Sequence, residues 1–117
     1  MTDALRDAAN LMGAQQYFAA AQAYRHICET QPEHAAIAAS QVGAALFFLR
    51  NFTEAIQWYE YAGKLGFDPE ATRMNIEEAQ AAMKAPWVPT VGDVIMAPHG
   101  GLVRYGEDGQ WHPHRDS

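Results

Sequence analysis

Between Asn51 and Pro69 the apolar positions Phe52, Ala55, Ile56, Tyr59 and Ala62 recur every three or four residues, while Glu54, Gln57, Glu60 and Lys64 fall mainly off that stripe. This is the spacing of an amphipathic helix. Asn51 or Thr53 is its expected N-cap, and Pro69 marks a point past which it cannot run. The same pattern occurs upstream. Shifted by 35 residues, Ala8 falls on Gly43, Leu11 on Leu46, Met12 on Phe47, Tyr17 on Phe52, Ala20 on Ala55, Tyr24 on Tyr59 and Ile27 on Ala62. A proline follows each copy, Pro32 in "ETQPEH" and Pro69 in "GFDPEA", the second delayed by the longer turn "KLGF". A period of this length signals stacked helix pairs. Helices approach closely only where side chains are small, so Ala8 with Ala20, and Gly43 with Ala55, are the expected crossing points.

A further helix is predicted over Pro69–Lys84, "PEATRMNIEEAQAAMK", with proline in its first turn, an acid early and a base at its end. Ile76, Ala79 and Met83 share the face that would meet the second helix pair, and Glu70, Glu77, Glu78 and Gln80 would face water, as in a terminal capping repeat. From residue 85 the composition changes: residues 85–117 hold four of the six prolines and five of the nine glycines and show no helical period. "DVIMA", "LVRY" and "QWHP", separated by the turn sequences "PHGG" and "GEDG", predict a three-strand meander. A sheet this small is marginal alone and needs to dock on the helices.

The paired motif, small residues at Ala8 and Gly43, apolar Leu11 and Leu46, Ala20 and Ala55, aromatic Tyr24 and Tyr59, then Pro32, resembles the tetratricopeptide repeat family. The resemblance covers residues 1–69 as two repeats and continues into an incomplete third through about Lys84. "ALFFLRNFTEAIQWYEYA" is the stronger copy; the first departs at Ala4, Asp7 and Gln15, where the family favours Trp, a large apolar residue and Gly. It implies an all-α array of antiparallel helix hairpins over residues 1–84, with 85–117 as an extended or small-β C-terminal segment. It also implies a non-enzymatic protein-interaction module whose concave groove is lined by the first helix of each repeat. Carried over residue by residue, that groove receives Leu5, Ala9, Met12 and Gly13, then Ile37, Ser40, Ala44, Phe47 and Phe48, a mostly apolar floor suited to an apolar peptide or helix. The branch of the family that clamps a C-terminal carboxylate has Lys and Asn where this chain has Leu5 and Ala9. The alternative within the same resemblance is a chaperone-like holder of a secreted or subunit segment; a rival from another class is a regulatory subunit of an enzyme complex.

Charge and chemistry narrow the picture further. Fourteen acidic against eight basic residues give a formal charge of −6, with no Lys/Arg run to neutralise phosphates or dock on an anionic membrane, so nucleic acid and membrane are not expected partners. The start "MTDALRDAANLMG" lacks the continuous apolar core of a signal peptide or membrane span, and a cytoplasmic chain is expected. Cys28 is the single cysteine, which leaves no internal disulfide and no multi-cysteine metal site. There is no Gly-rich phosphate loop and no helical histidine pair, Ser40 and Cys28 stand alone, and His99, His112 and His114 read as solvated; no catalytic set and no cofactor are expected. Trp87, Val91, Val94, Ile95 and Met96 make the C-terminal segment unusually apolar. Beside an apolar groove, this predicts docking onto the helices of the same chain or of a second copy.

Overall fold

The computed structural model describes residues 3–114; the outermost residues of both expected units, 1–2 and 115–117, lie outside the described residues. Five α-helices follow one another: α1 (Asp3–Gly13), α2 (Tyr17–Thr30), α3 (Ala35–Phe48), α4 (Phe52–Lys64) and α5 (Pro69–Lys84). Each packs on the next, and connections of three or four residues reverse the chain between them. A 3-10 turn at Pro32–His34 leads from α2 into α3. Beyond the helices lies an antiparallel sheet of β1 (Val94–Met96), β2 (Leu102–Tyr105) and β3 (Trp111–Pro113) in the order β1-β2-β3. The protein is therefore mostly helical with a small sheet rather than all-α, because "PHGG" and "GEDG" close two hairpins in the segment that prolines bar from helix.

The centre of the helical layer is α3. Its sequence, "AAIAASQVGAALFF", offers only Ser40 and Gln41 as polar side chains, and eight of its fourteen residues are buried. A helix apolar around most of its circumference needs cover on several sides, and α2 and α4 supply it. The small residues do set the crossings. Ala8, Ala20 and Ala55 are fully buried, and a β-carbon on Gly43 would lie 2.7 Å from two ring carbons of Tyr59 and 3.1 Å from the Ala55 carbonyl oxygen.

The two hairpin turns repeat in detail. Gln15 and Arg50, 35 residues apart, both take left-handed backbone (φ 62° and 61°). After α1, Gln16 N–H donates to Leu11 O (3.0 Å) and Gln15 N–H to Met12 O (3.0 Å); after α3, Asn51 N–H donates to Leu46 O (2.9 Å) and Arg50 N–H to Phe47 O (2.9 Å). Each pair is the 6→1 and 5→2 closure that satisfies the last carbonyls of a helix. The cap of α4 is Asn51 rather than Thr53: its Oδ1 accepts from Glu54 N–H (3.5 Å) and its Nδ2 donates to Glu54 Oε2 (2.9 Å). Asp68 caps α5 by accepting from Ala71 N–H at 2.9 Å, and Pro69 follows it.

Helix α5 buries Ala79 and half-buries Ile76 against α4, but Met83 is 51% exposed, so that end of the expected apolar face is open. Glu70, Glu77, Glu78 and Gln80 face solvent, and Arg73 bonds both Glu70 and Glu77 there. The shift of 37 residues that superposes Pro69 on Pro32 places Gln80 where Gly43 admits Tyr59. A long polar side chain at that point obstructs the close approach of another helix, so the stack ends at α5.

Candidate functional site

Helical geometry divides the nine groove residues expected from the sequence into two sets. Along α3, Ile37, Gln41, Ala44 and Phe48 recur at intervals of four, three and four, which places them on one face. Ile37 is 48% and Phe48 51% exposed, and Gln41 and Ala44 between them are half-buried. The equivalent stripe on α1, shifted by 35 residues, carries Arg6, Ala9 and Gly13, all exposed. The remaining expected residues lie off this line. Ser40 is only 6% exposed, and Leu5, Met12 and Phe47 pack against the core. Ser40 and Phe47 lie about 70–90° around the helix from the Ile37–Phe48 line. Of these four only Ser40 is buried; Leu5, Met12 and Phe47 are half-buried. Arg6, exposed, and Gln41, half-buried, share the outer line and were not among the expected residues.

Aromatic packing ties this face to the hairpin turns. Phe48 stacks on Tyr17 with ring centroids 4.9 Å apart and planes 21° apart, and it meets Phe47 edge to face at 5.7 Å. Phe47 in turn meets Phe52 at 5.4 Å. Such offset and edge-on pairs add to area burial by about 0.5–1.5 kcal/mol each, so the half-exposed Phe48 ring is held in position.

The C-terminal sheet reaches the helices at the α3–α4 turn. Met96 N–H donates to Leu49 O (2.9 Å), Asn51 Nδ2 lies 3.3 Å from Met96 Sδ, and the Met96 side chain packs against the helical core. The Arg50 guanidinium sits between two rings, 4.9 Å from the Phe52 centroid and 3.9 Å from that of Trp87, whose other neighbour is Trp111 at 6.2 Å. Trp111 also packs on Tyr105 at 5.0 Å. Val94 and Ile95 are half-buried and line a cleft with Phe47, Phe48 and Trp87. Val91 is 53% exposed, because the chain turns at Val91–Gly92 to enter β1; it contributes little burial to the seam. Arg50 and Leu49 were not among the expected docking residues: nothing in a hairpin-turn sequence shows that its carbonyl and its cation will meet a segment more than thirty residues away.

Chemically reactive groups are dispersed. The Cys28 Sγ donates to Ala35 O at 3.4 Å, and burial, with Glu29 adding to it, pushes the thiol up, away from the thiolate form that nucleophilic chemistry uses. His112 pairs with Asp108 at 3.0 Å on the β2–β3 hairpin, where it holds the Asp108 carboxyl below its usual range. Among the described residues no three His, Cys, Asp or Glu side chains stand together as a metal site, and no helix is long and apolar enough to cross a membrane. No protein-family model, curated protein or solved structure matches the chain.

Proposed function

We propose that this chain is a non-enzymatic protein-interaction module of the tetratricopeptide kind, working in the cytoplasm, that takes an apolar peptide or helix of a partner protein along α1 and α3. The observation that carries this reading is the stripe Ile37–Gln41–Ala44–Phe48. On the most apolar helix of the fold, buried by its neighbours on most sides, one line of residues about 16 Å long is left with a β-branched side chain and a phenylalanine at its ends, each about half exposed. Partner helices are read through anchors spaced in this way, and a rigid aromatic such as Phe48, held by Tyr17, loses little side-chain entropy when it is covered.

Co-purification with quantitative mass spectrometry tests the reading. Phe48→Glu and Ile37→Glu should each deplete the same stoichiometric partner at least tenfold, the effect of losing a hot-spot contact worth more than about 1.4 kcal/mol. Tyr61→Glu, which alters a ring 45% exposed on α4, should retain it. Equal recovery from all three variants would overturn the assignment.

A further inference from the structure

The C-terminal sheet is bonded within itself more extensively than it is bonded to the helices. Gly92 N–H donates to Tyr105 O (2.9 Å), Tyr105 N–H to Asp93 O (2.8 Å), Ala97 N–H to Gly101 O (2.8 Å), Gly106 N–H to Gln110 O (2.9 Å) and His114 N–H to Leu102 O (3.0 Å). The Asp93 carboxylate accepts from the backbone N–H and the hydroxyl of Thr90 at 2.8 and 3.0 Å. Residues 90–114 thus form one hydrogen-bonded body.

Its seam with the helices is thin. Among the described residues the bonds across it are Met96 N–H to Leu49 O and the Asn51 amide to the Met96 thioether, a weak acceptor. Clefts border the contact on several sides. One of about 220 Å³ lies under Trp87 between Phe47, Phe48 and Ile95, one of about 310 Å³ between Tyr17, Phe48, Val94 and Leu102, and one of about 680 Å³ between Arg50, Met83, Met96 and Pro98. Side chains that face open space lose the dispersion contacts of a packed interior. The connection from α5 is also loose: after Ala85 N–H bonds Ala81 O, residues 86–89 make none of the described backbone hydrogen bonds, and Val88 is 84% exposed.

We propose that the sheet is a lid on the turn end of the helical array: it swings as one body about residues 85–89 and bares Phe47, Leu49 and the seat of Met96. The latch is the stack of Arg50 on Trp87. Arg50 belongs to the same left-handed turn that presents the Leu49 carbonyl, so the cation and the acceptor leave the helical array side by side. Trp87 lies between Arg50 and Trp111, where it joins the hinge segment to both bodies. Given the interaction surface proposed on α3, on which this inference rests, the open state lengthens that surface past Phe48. It would then admit a partner segment with the chemistry of β1: extended, apolar, offering an N–H to Leu49 and a side chain to the Met96 seat.

The Met96 amide is bonded across the seam, whereas the Tyr105 amide is bonded inside the sheet and the Leu46 amide inside the helical core. Hydrogen exchange of the full chain, followed by NMR under native conditions, should find Met96 exchanging at least tenfold faster than Leu46. Trp87→Ala and, separately, Arg50→Met should speed Met96 by about a further tenfold, equivalent to ~1.4 kcal/mol, with Leu46 unchanged. A synthetic peptide of residues 92–97 should shift the Phe48 and Leu49 resonances at lower concentration in the Trp87→Ala chain than in the wild type. The lid is overturned if Met96 and Leu46 exchange together in the wild type, or if either substitution accelerates both amides equally. Failure of the α3 surface itself would be seen at Ile37, which lies away from the seam, and leaves these exchange rates as they are.

Discussion

Gly43 and Tyr59 approach so closely that a β-carbon on Gly43 would lie 2.7 Å from both Cδ1 and Cε1 of the Tyr59 ring. The ring is buried and α3 and α4 are locked around it, so neither partner can move aside freely. Gly43→Ala should destabilise the fold by about 1–2 kcal/mol, overpacking of ~1–3 kcal/mol being offset in part by the helix preference of alanine. Gly13 is the internal control. A β-carbon added there would meet nothing within 4 Å, and Gly13→Ala should stabilise by up to about 1 kcal/mol. Urea unfolding of the two variants checks the opposite signs.

The left-handed turns give a second pair. A residue other than glycine pays about 1–2 kcal/mol for that conformation, so Gln15→Gly should raise the unfolding midpoint by the equivalent of roughly 0.5–1 kcal/mol. Arg50→Gly gains the same backbone relief but removes the cation held between Phe52 and Trp87, contacts that together offset it at about 0.5–2 kcal/mol. Thermal unfolding should place Gln15→Gly above the wild type and Arg50→Gly at or below it.

The five helices were legible because they depend on local rules. Small residues at crossings, prolines after helices and the 35-residue period are written directly into the chain, and the ends of α5 agree with its Pro69 and Lys84 signals. The strands were legible for the same reason, through glycine-rich turns. The surface was half legible. Carrying positions over from a resemblance gives no burial: Ser40 is covered on α3, while Phe47 is half-buried at the edge of a cleft. The seam was not legible in detail, since Leu49 O and Arg50 acquire their partners only when two distant turns are brought together.

Alkaline stability should depend on Tyr59. Burial pushes its hydroxyl up to about 12, with the Glu78 carboxylate acting in the same direction, while an unfolded tyrosine ionises near 10. Between about pH 10 and about pH 12 the unfolded chain releases a proton that the folded chain retains, so stability is unaffected below this window and falls as pH rises through it. The loss from this one group reaches up to about 1.4 kcal/mol per pH unit. Tyr59→Phe should flatten the decline over pH ~10 to ~12, leaving the smaller contribution of Tyr24, which burial also raises. Denaturant unfolding at a series of pH values measures both slopes.

The central claim, that the α1–α3 face meets a partner protein, is tested most directly by position-specific photo-crosslinking in cells. A photoreactive residue at Ile37 should yield one discrete crosslinked product, and the same residue at Glu77, on the polar outer side of α5, should yield none of it. Identical product patterns from the two positions, or no product from Ile37, would contradict the account.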